Sequence, residues 1–260
     1  MILLRRPGLI RALLIGVALA SWACVPAAFA QGTKVDRDQA ASVNTELAIA
    51  YMREGNLAAA RDKIEKALQQ NPHTAKTQMA AGFLYDRLGD KRKASSHYDQ
   101  AVKLGKDDPD VINNAAVYFC RTGEYKRGEQ YLLQAAGSAL YRTPDVAYTN
   151  AGRCARADSR PKDAEQYFRK ALAVNPKQPD ALWQMAELTQ AAGNGLQARA
   201  FLERYDAVAP ATSATLWLGR NVELALGDTT QAARYAQRLK NEFPTSVEAG
   251  KLFEEEQSRP

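Results

Sequence analysis

Small, aromatic and aliphatic positions return every 34 residues between about Ser42 and Pro244. The clearest runs are Ala60/Ile64/Ala67/Pro72, Ala164/Phe168/Ala171/Pro176, Ala198/Leu202/Pro210 and Ala232/Ala236/Pro244. Steps of three and four residues place such side chains on one face of a helix. A proline five to eight residues later ends that helix, because proline cannot continue the hydrogen-bond ladder. A glycine or serine stands midway through each period, at Gly55, Gly89, Gly123, Ser159, Gly193 and Gly227. A residue there takes the positive φ of a helix C-terminus, so each period is expected to hold two helices joined by a tight turn.

Six copies share one frame: 41–74, 75–108, 109–142, 145–178, 179–212 and 213–246, with Thr143 and Pro144 inserted between the third and fourth. Frame position 8, where the paired helices nearly touch, holds Ala48, Gly82, Ala116, Gly152 and Ala186, and then Arg220. Position 20 holds Ala60, Ala94, Gly128, Ala164, Ala198 and Ala232. Copies two and three have Lys106 and Leu140 in place of the closing proline, but keep the period through Tyr85, Tyr98 and Ala101, then Phe119, Leu132 and Ala135. A helix pair repeating every 34 residues is the signature of tetratricopeptide (TPR) repeats. The expected fold is an all-α TPR superhelix of six helix-turn-helix repeats over residues 41–246. Arg220 at a small position suggests that the sixth copy is a worn terminal unit. Residues 247–260 then supply a capping helix and tail, with Leu252 and Phe253 available to cover the open end.

Residues 1–30 have the layout of an export signal. Arg5, Arg6 and Arg11 precede or open the apolar stretch Ala12–Ala20, and Ala28-Phe29-Ala30 forms a small-x-small cleavage site before Gln31. The apolar stretch is too short for a comfortable membrane span. Cys24 offers a second reading, in which the cysteine becomes a lipidated first residue. The preceding Ser21-Trp22-Ala23 is a poor lipoprotein signal, so a periplasmic product starting at Gln31 and an outer-membrane-anchored lipoprotein starting at Cys24 both stand. A membrane contact would come only through that anchor. Residues 31–40 are expected to be a short tether. The formal charge is +6, or +3 without those three arginines. No basic run with interleaved aromatics marks a nucleic-acid surface.

Cys120 and Cys154 lie on the first helices of copies three and four, at frame positions 12 and 10. In an oxidising compartment the pair is expected to form a disulfide; two buried thiols acting as small hydrophobes are the alternative. The chain has two histidines, His73 and His97. Neither has a carboxylate or cysteine at metal-ligand spacing, so no metal or other cofactor is expected. With no zinc motif, nucleophile elbow or phosphate-cradling loop, the chain reads as a non-enzyme. Recognition is expected on the concave face, which TPR stacks line through positions 5, 9, 12 and 13 of each first helix. Those positions supply Ile49, Met52, Met79, Phe83 and Val117, then Arg153 and Arg156, then Trp183 and Trp217. An apolar, then basic, then aromatic groove suits a peptide segment or a partner helix, although several of these side chains have helix packing as their alternative role. The Lys/Asn set with which some TPR domains clamp a C-terminal carboxylate is absent.

Two stretches carry a closer resemblance: Asn113-Asn114-Ala115-Ala116-Val117-Tyr118-Phe119-Cys120-Arg121-Thr122-Gly123 and Ala147-Tyr148-Thr149-Asn150-Ala151-Gly152-Arg153-Cys154. With Leu216-Trp217-Leu218-Gly219 and Phe243-Pro244-Thr245-Ser246, they resemble the type IV pilus biogenesis/stability TPR proteins of the PilF/PilW family, over about residues 40–250. The resemblance implies a pilotin-like, non-catalytic role in assembling or localising the pilus secretin, or in stabilising the fibre. It also implies that Cys120 and Cys154 are the family's paired cysteines and that the early repeats carry the secretin-binding groove. Ala116 stands where the family usually has glycine, and the weak signal before Cys24 departs from a lipid-anchored pilotin.

Overall fold

The structure, a computed structural model, describes residues 27–258, which fold into thirteen helices and no strand. Six antiparallel pairs follow one another: α1 (Ala27–Arg53) with α2 (Leu57–Gln70), α3 (Ala75–Arg87) with α4 (Lys91–Leu104), and α5 (Pro109–Arg121) with α6 (Tyr125–Ala136). Then come α7 (Pro144–Ala157) with α8 (Pro161–Val174), α9 (Pro179–Ala191) with α10 (Gly195–Asp206), and α11 (Ser213–Ala225) with α12 (Thr229–Glu242). A single helix, α13 (Val247–Gln257), closes the stack. The export segment, including Cys24, lies outside the described residues apart from 27–30, which belong to α1. Residues 31–40, expected as a tether, are also part of α1.

Local chemistry sets the boundaries. Thr74, Asp90, Asp108, Asp228 and Ser246 each accept a backbone N–H in the first turn of the helix they precede, satisfying donors the helix itself leaves unpaired. Helices α5, α7, α8 and α9 begin with proline, whose fixed φ and missing N–H suit that position. The six turn residues all have positive φ, from +57° at Ser159 to +93° at Gly123. Ser159 accepts the left-handed conformation without glycine's freedom.

The small positions are close contacts. A Cβ added to Gly152 would sit 2.3 Å from the Phe168 ring, and one on Gly82 would sit 3.0 Å from Tyr98. Phe168 is fully buried, so its ring has nowhere to retreat. Gly152→Ala is therefore expected to destabilise the protein by about 1–3 kcal/mol, the usual range for overpacking a core; a thermal melt checks this.

The sixth copy is not worn. Its close contact is made by Gly219, one residue before the expected position, where an added Cβ would lie 2.7 Å from Tyr235. Arg220 is thereby free to turn toward the cap. It is nearly buried, lies 4.9 Å above the Trp217 ring, and bonds Glu255 of α13 at 2.6 Å. Ala249 and Leu252 of α13 pack with Leu216 and Leu239 in one buried cluster. Phe253, expected to help cover the end, is instead about half exposed with the Lys240 ammonium over its ring.

The insertion before copy four lies where the connection from α6 enters α7, with Thr143 preceding the helix and Pro144 opening it. There Tyr141 is buried with Ile112, Ala135 and Ala147.

Candidate functional site

First helices of successive repeats lie side by side, with α1 against α3, α3 against α5 and α5 against α7. Their inner faces enclose a groove of about 1030 Å³ that extends from α1 to the start of α7. Ile49, Phe83 and Val117 occupy the same frame position on α1, α3 and α5 and form a file along its floor, joined by Met79. Phe83 is 48% exposed and Val117 39%, a substantial apolar surface at the centre of a concavity. Ile49 and Met79 are partly buried, each leaning on a neighbouring core cluster.

The structure corrects several expected groove residues. Met52 reaches the groove base but is only 2% exposed and packs with Ala80, Ala81 and Leu84 of the next repeat. Position 12 therefore faces the following repeat more than the ligand space. Arg156, also at position 12, spans to the next repeat and bonds Gln184 at 2.6 Å and Glu187 at 2.8 Å. Trp183 packs between two core clusters, and Trp217 lies against the cluster beneath the cap. Arg153 is exposed but, like these three, does not line the groove. The expected sequence of apolar, basic and aromatic surfaces thus reduces to one apolar groove in the first three repeats.

Its rims are polar in different ways. At the C-terminal ends of α1, α3 and α5 stand Arg53, Arg87 and Arg121, spaced by one repeat and not among the residues expected from the sequence, although that spacing signals them. The Arg87 guanidinium donates to the Met52 carbonyl in the last turn of α1, and Arg121 pairs with Asp86. On the opposite side Lys76 pairs with Glu46 at 2.7 Å. Asp108 accepts from the backbone N–H groups of Asp110 and Val111 at 3.0 and 3.3 Å, and Asp110 sits in the first turn of α5, where the helix dipole favours an anion. The acidic groups are thus satisfied locally, whereas Arg53 and Arg87 have no carboxylate partner among the described residues. Asn150 donates to Asn113 at 3.1 Å, tying α7 to α5 across the groove's far end.

The two cysteines meet at the junction of copies three and four. Their sulfurs lie 1.99 Å apart and their Cα atoms 5.3 Å apart, within the Cα range that a disulfide spans. The two-place offset in the frame needs no distortion from the insertion: position 12 meets position 10 of the next repeat, just as Met52 meets Leu84 at the junction of copies one and two.

Among the described residues no other cluster gathers reactive or metal-ligating side chains. His97 lies 2.7 Å from Gln78 and stacks on Tyr85, and burial lowers its pKa, favouring the neutral ring. No group of three potential metal ligands occurs among the described residues. A smaller concavity of about 400 Å³ near α10–α12 is lined by charged residues that include the paired Arg199 and Glu223.

Four tetratricopeptide-repeat family profiles match the chain, over residues 27–75, 75–108, 155–218 and 214–246. The chain belongs to the tetratricopeptide-repeat family. Within it, the chain is homologous to the type IV pilus assembly protein PilF of Pseudomonas aeruginosa, at 26% identity over 91% of this chain and 95% of PilF. A solved P. aeruginosa PilF structure superposes with a TM-score of 0.71 at 25% identity, covering 85% of this chain and 99% of that one. PilW, described as a widely conserved type IV pilus biogenesis factor, gives a TM-score of 0.74 at 28% identity, covering 83% of this chain and 99% of PilW. The similarity therefore spans nearly the whole TPR array. Among the described residues no helix is long and apolar enough to cross a membrane.

Proposed function

We propose that this protein is a non-catalytic scaffold for type IV pilus biogenesis that holds a segment of the pilus secretin in the groove of its first three repeats. It would thereby assist secretin assembly or outer-membrane localisation, or fibre stability. The observation that carries this reading is the apolar file Ile49–Phe83–Val117, with Phe83 and Val117 exposed, at the centre of a groove, in a chain homologous to PilF over nearly its full length. Exposed apolar surface in a concavity favours a partner that buries it.

The protein acts in the periplasm after export, either free from Gln31 or anchored to the outer membrane through a lipid on Cys24. In that oxidising compartment Cys120 and Cys154 are bridged. An intact-mass measurement separates the two N-termini.

An in-frame deletion tests the function. Loss of surface pili together with accumulation of secretin monomers is expected. Normal piliation and normal secretin multimers would overturn the pilus role and favour an adaptor for another envelope complex.

A further inference from the structure

The groove also constrains the shape and charge of its occupant. This inference rests on the reading that the groove is a partner site. Neighbouring helices pack about 8–10 Å apart, so the floor file of Ile49, Phe83 and Val117 repeats at about that interval. A strand returns to the same face every second residue, at about 6.6 or 13 Å, and does not match that spacing. An α-helix returns nearly to the same face after seven residues, about 10.5 Å along its axis, and does match.

Width supports the same choice. The rim carrying Arg53 and Arg87 lies four residues along the first helices from the floor file, about 6 Å at 1.5 Å per residue. That is the radius of a helix with its side chains. A helix resting on the file therefore brings one flank level with the arginines along its whole length, whereas an extended chain turns successive side chains to alternate sides and presents no continuous flank to them. A helix also satisfies its own backbone groups. This matters where the floor is apolar and two nearby carboxamides, Asn113 and Asn150, are bonded to each other. Finally, the rim is asymmetric: Asp108 and Asp110 on one side are held by a helix N-terminus, while Arg53 and Arg87 lack carboxylate partners among the described residues.

We infer that the groove accepts an amphipathic α-helix with an apolar residue at each heptad and acidic residues along the flank facing Arg53 and Arg87. Apolar contact supplies most of the affinity, and the arginine rim fixes which way round the helix is rolled.

The test uses the intact processed protein and three synthetic peptides of roughly 18 residues, about five helical turns. All carry leucine at heptad spacing. One has a glutamate flank, one has lysines in place of the glutamates, and one is the glutamate peptide with a central proline that breaks the helix. Fluorescence anisotropy should show the glutamate peptide binding about tenfold more tightly than either of the others, with the advantage over the lysine peptide shrinking as salt is raised. The Arg53→Glu/Arg87→Glu double variant should prefer the lysine peptide. Because Arg87 also bonds the Met52 carbonyl, Arg53→Glu alone is measured beside it and should reduce the preference about threefold or more.

Equal binding of the glutamate and lysine peptides, undiminished binding of the proline peptide, an unchanged preference in both variants, or no binding of any peptide would each overturn the inference. These outcomes are independent of piliation. A deletion strain with normal pili would sink the pilus role while leaving a helix-selective, acid-selective groove intact.

Discussion

Phe83→Glu is expected to weaken partner binding by about 30-fold or more while leaving the melting temperature within a few degrees of the parent. The asymmetry follows from where the ring sits. Phe83 is 48% exposed at the middle of the floor file, so its removal opens no cavity inside the array. In a complex the same ring would be covered, and a buried aromatic anchor commonly contributes about 2–4 kcal/mol. A carboxylate in its place also brings a charge into an apolar contact, which costs more than truncation alone. Titrating purified secretin, or the glutamate-flanked peptide, against the variant gives the affinity, and a thermal melt gives the control. Unchanged affinity for both would show that the groove floor serves packing rather than recognition. A large fall in melting temperature would place Phe83 among the structural residues beside Met52.

The architecture could be read from the residue pattern because each repeat buries its apolar face only against its neighbours. Every period must therefore restate the same small contacts and the same turn. Gly152 under Phe168 and the positive-φ turns at Gly55 to Gly227 are direct consequences. Positions between two roles were harder to place. Position 12 looks inward on an idealised frame, yet Met52 and Cys120 serve the junction with the next repeat, and Arg156 is held there by Gln184 and Glu187. Trp183 and Trp217 are wide enough to fill the space between helices, a matter of volume that residue type alone does not settle.

Arg220 departs from the frame for a different reason. The close contact had shifted by one residue to Gly219, and only the packed Tyr235 ring reveals the shift. The arginine rim is the opposite case: Arg53, Arg87 and Arg121 stand at the repeat interval and are legible in the residue pattern itself. Gln31–Asp38 is polar enough to suggest a tether, yet those residues continue α1.

Reduction of the Cys120–Cys154 bridge is expected to remove about 3–4 kcal/mol of stability, the loop-closure value for cysteines 34 residues apart. For an array of this size that corresponds to a fall in melting temperature of about 6–15 °C. The position of the pair matters as much as the magnitude. In a repeat stack, stability is the sum of each unit and its interfaces with adjacent units. The cysteines join copies three and four, at the junction where Tyr141 is also buried. Losing the bridge should therefore weaken one interface selectively, so that the unfolding transition broadens or divides as the groove-bearing repeats separate from the capped C-terminal half. The Cys120→Ala/Cys154→Ala variant should behave like the reduced protein and become insensitive to reductant, which separates loss of the bridge from any general effect of the reagent. Hydrogen exchange should localise the extra opening to α5–α8 first. Free thiols titrating in the native, unreduced protein, together with a melting temperature indifferent to reductant, would show that the two sulfurs meet as packed thiols and that the junction is held by its other contacts, among them Ala116, Leu132 and Ala151 and the cluster around Tyr141.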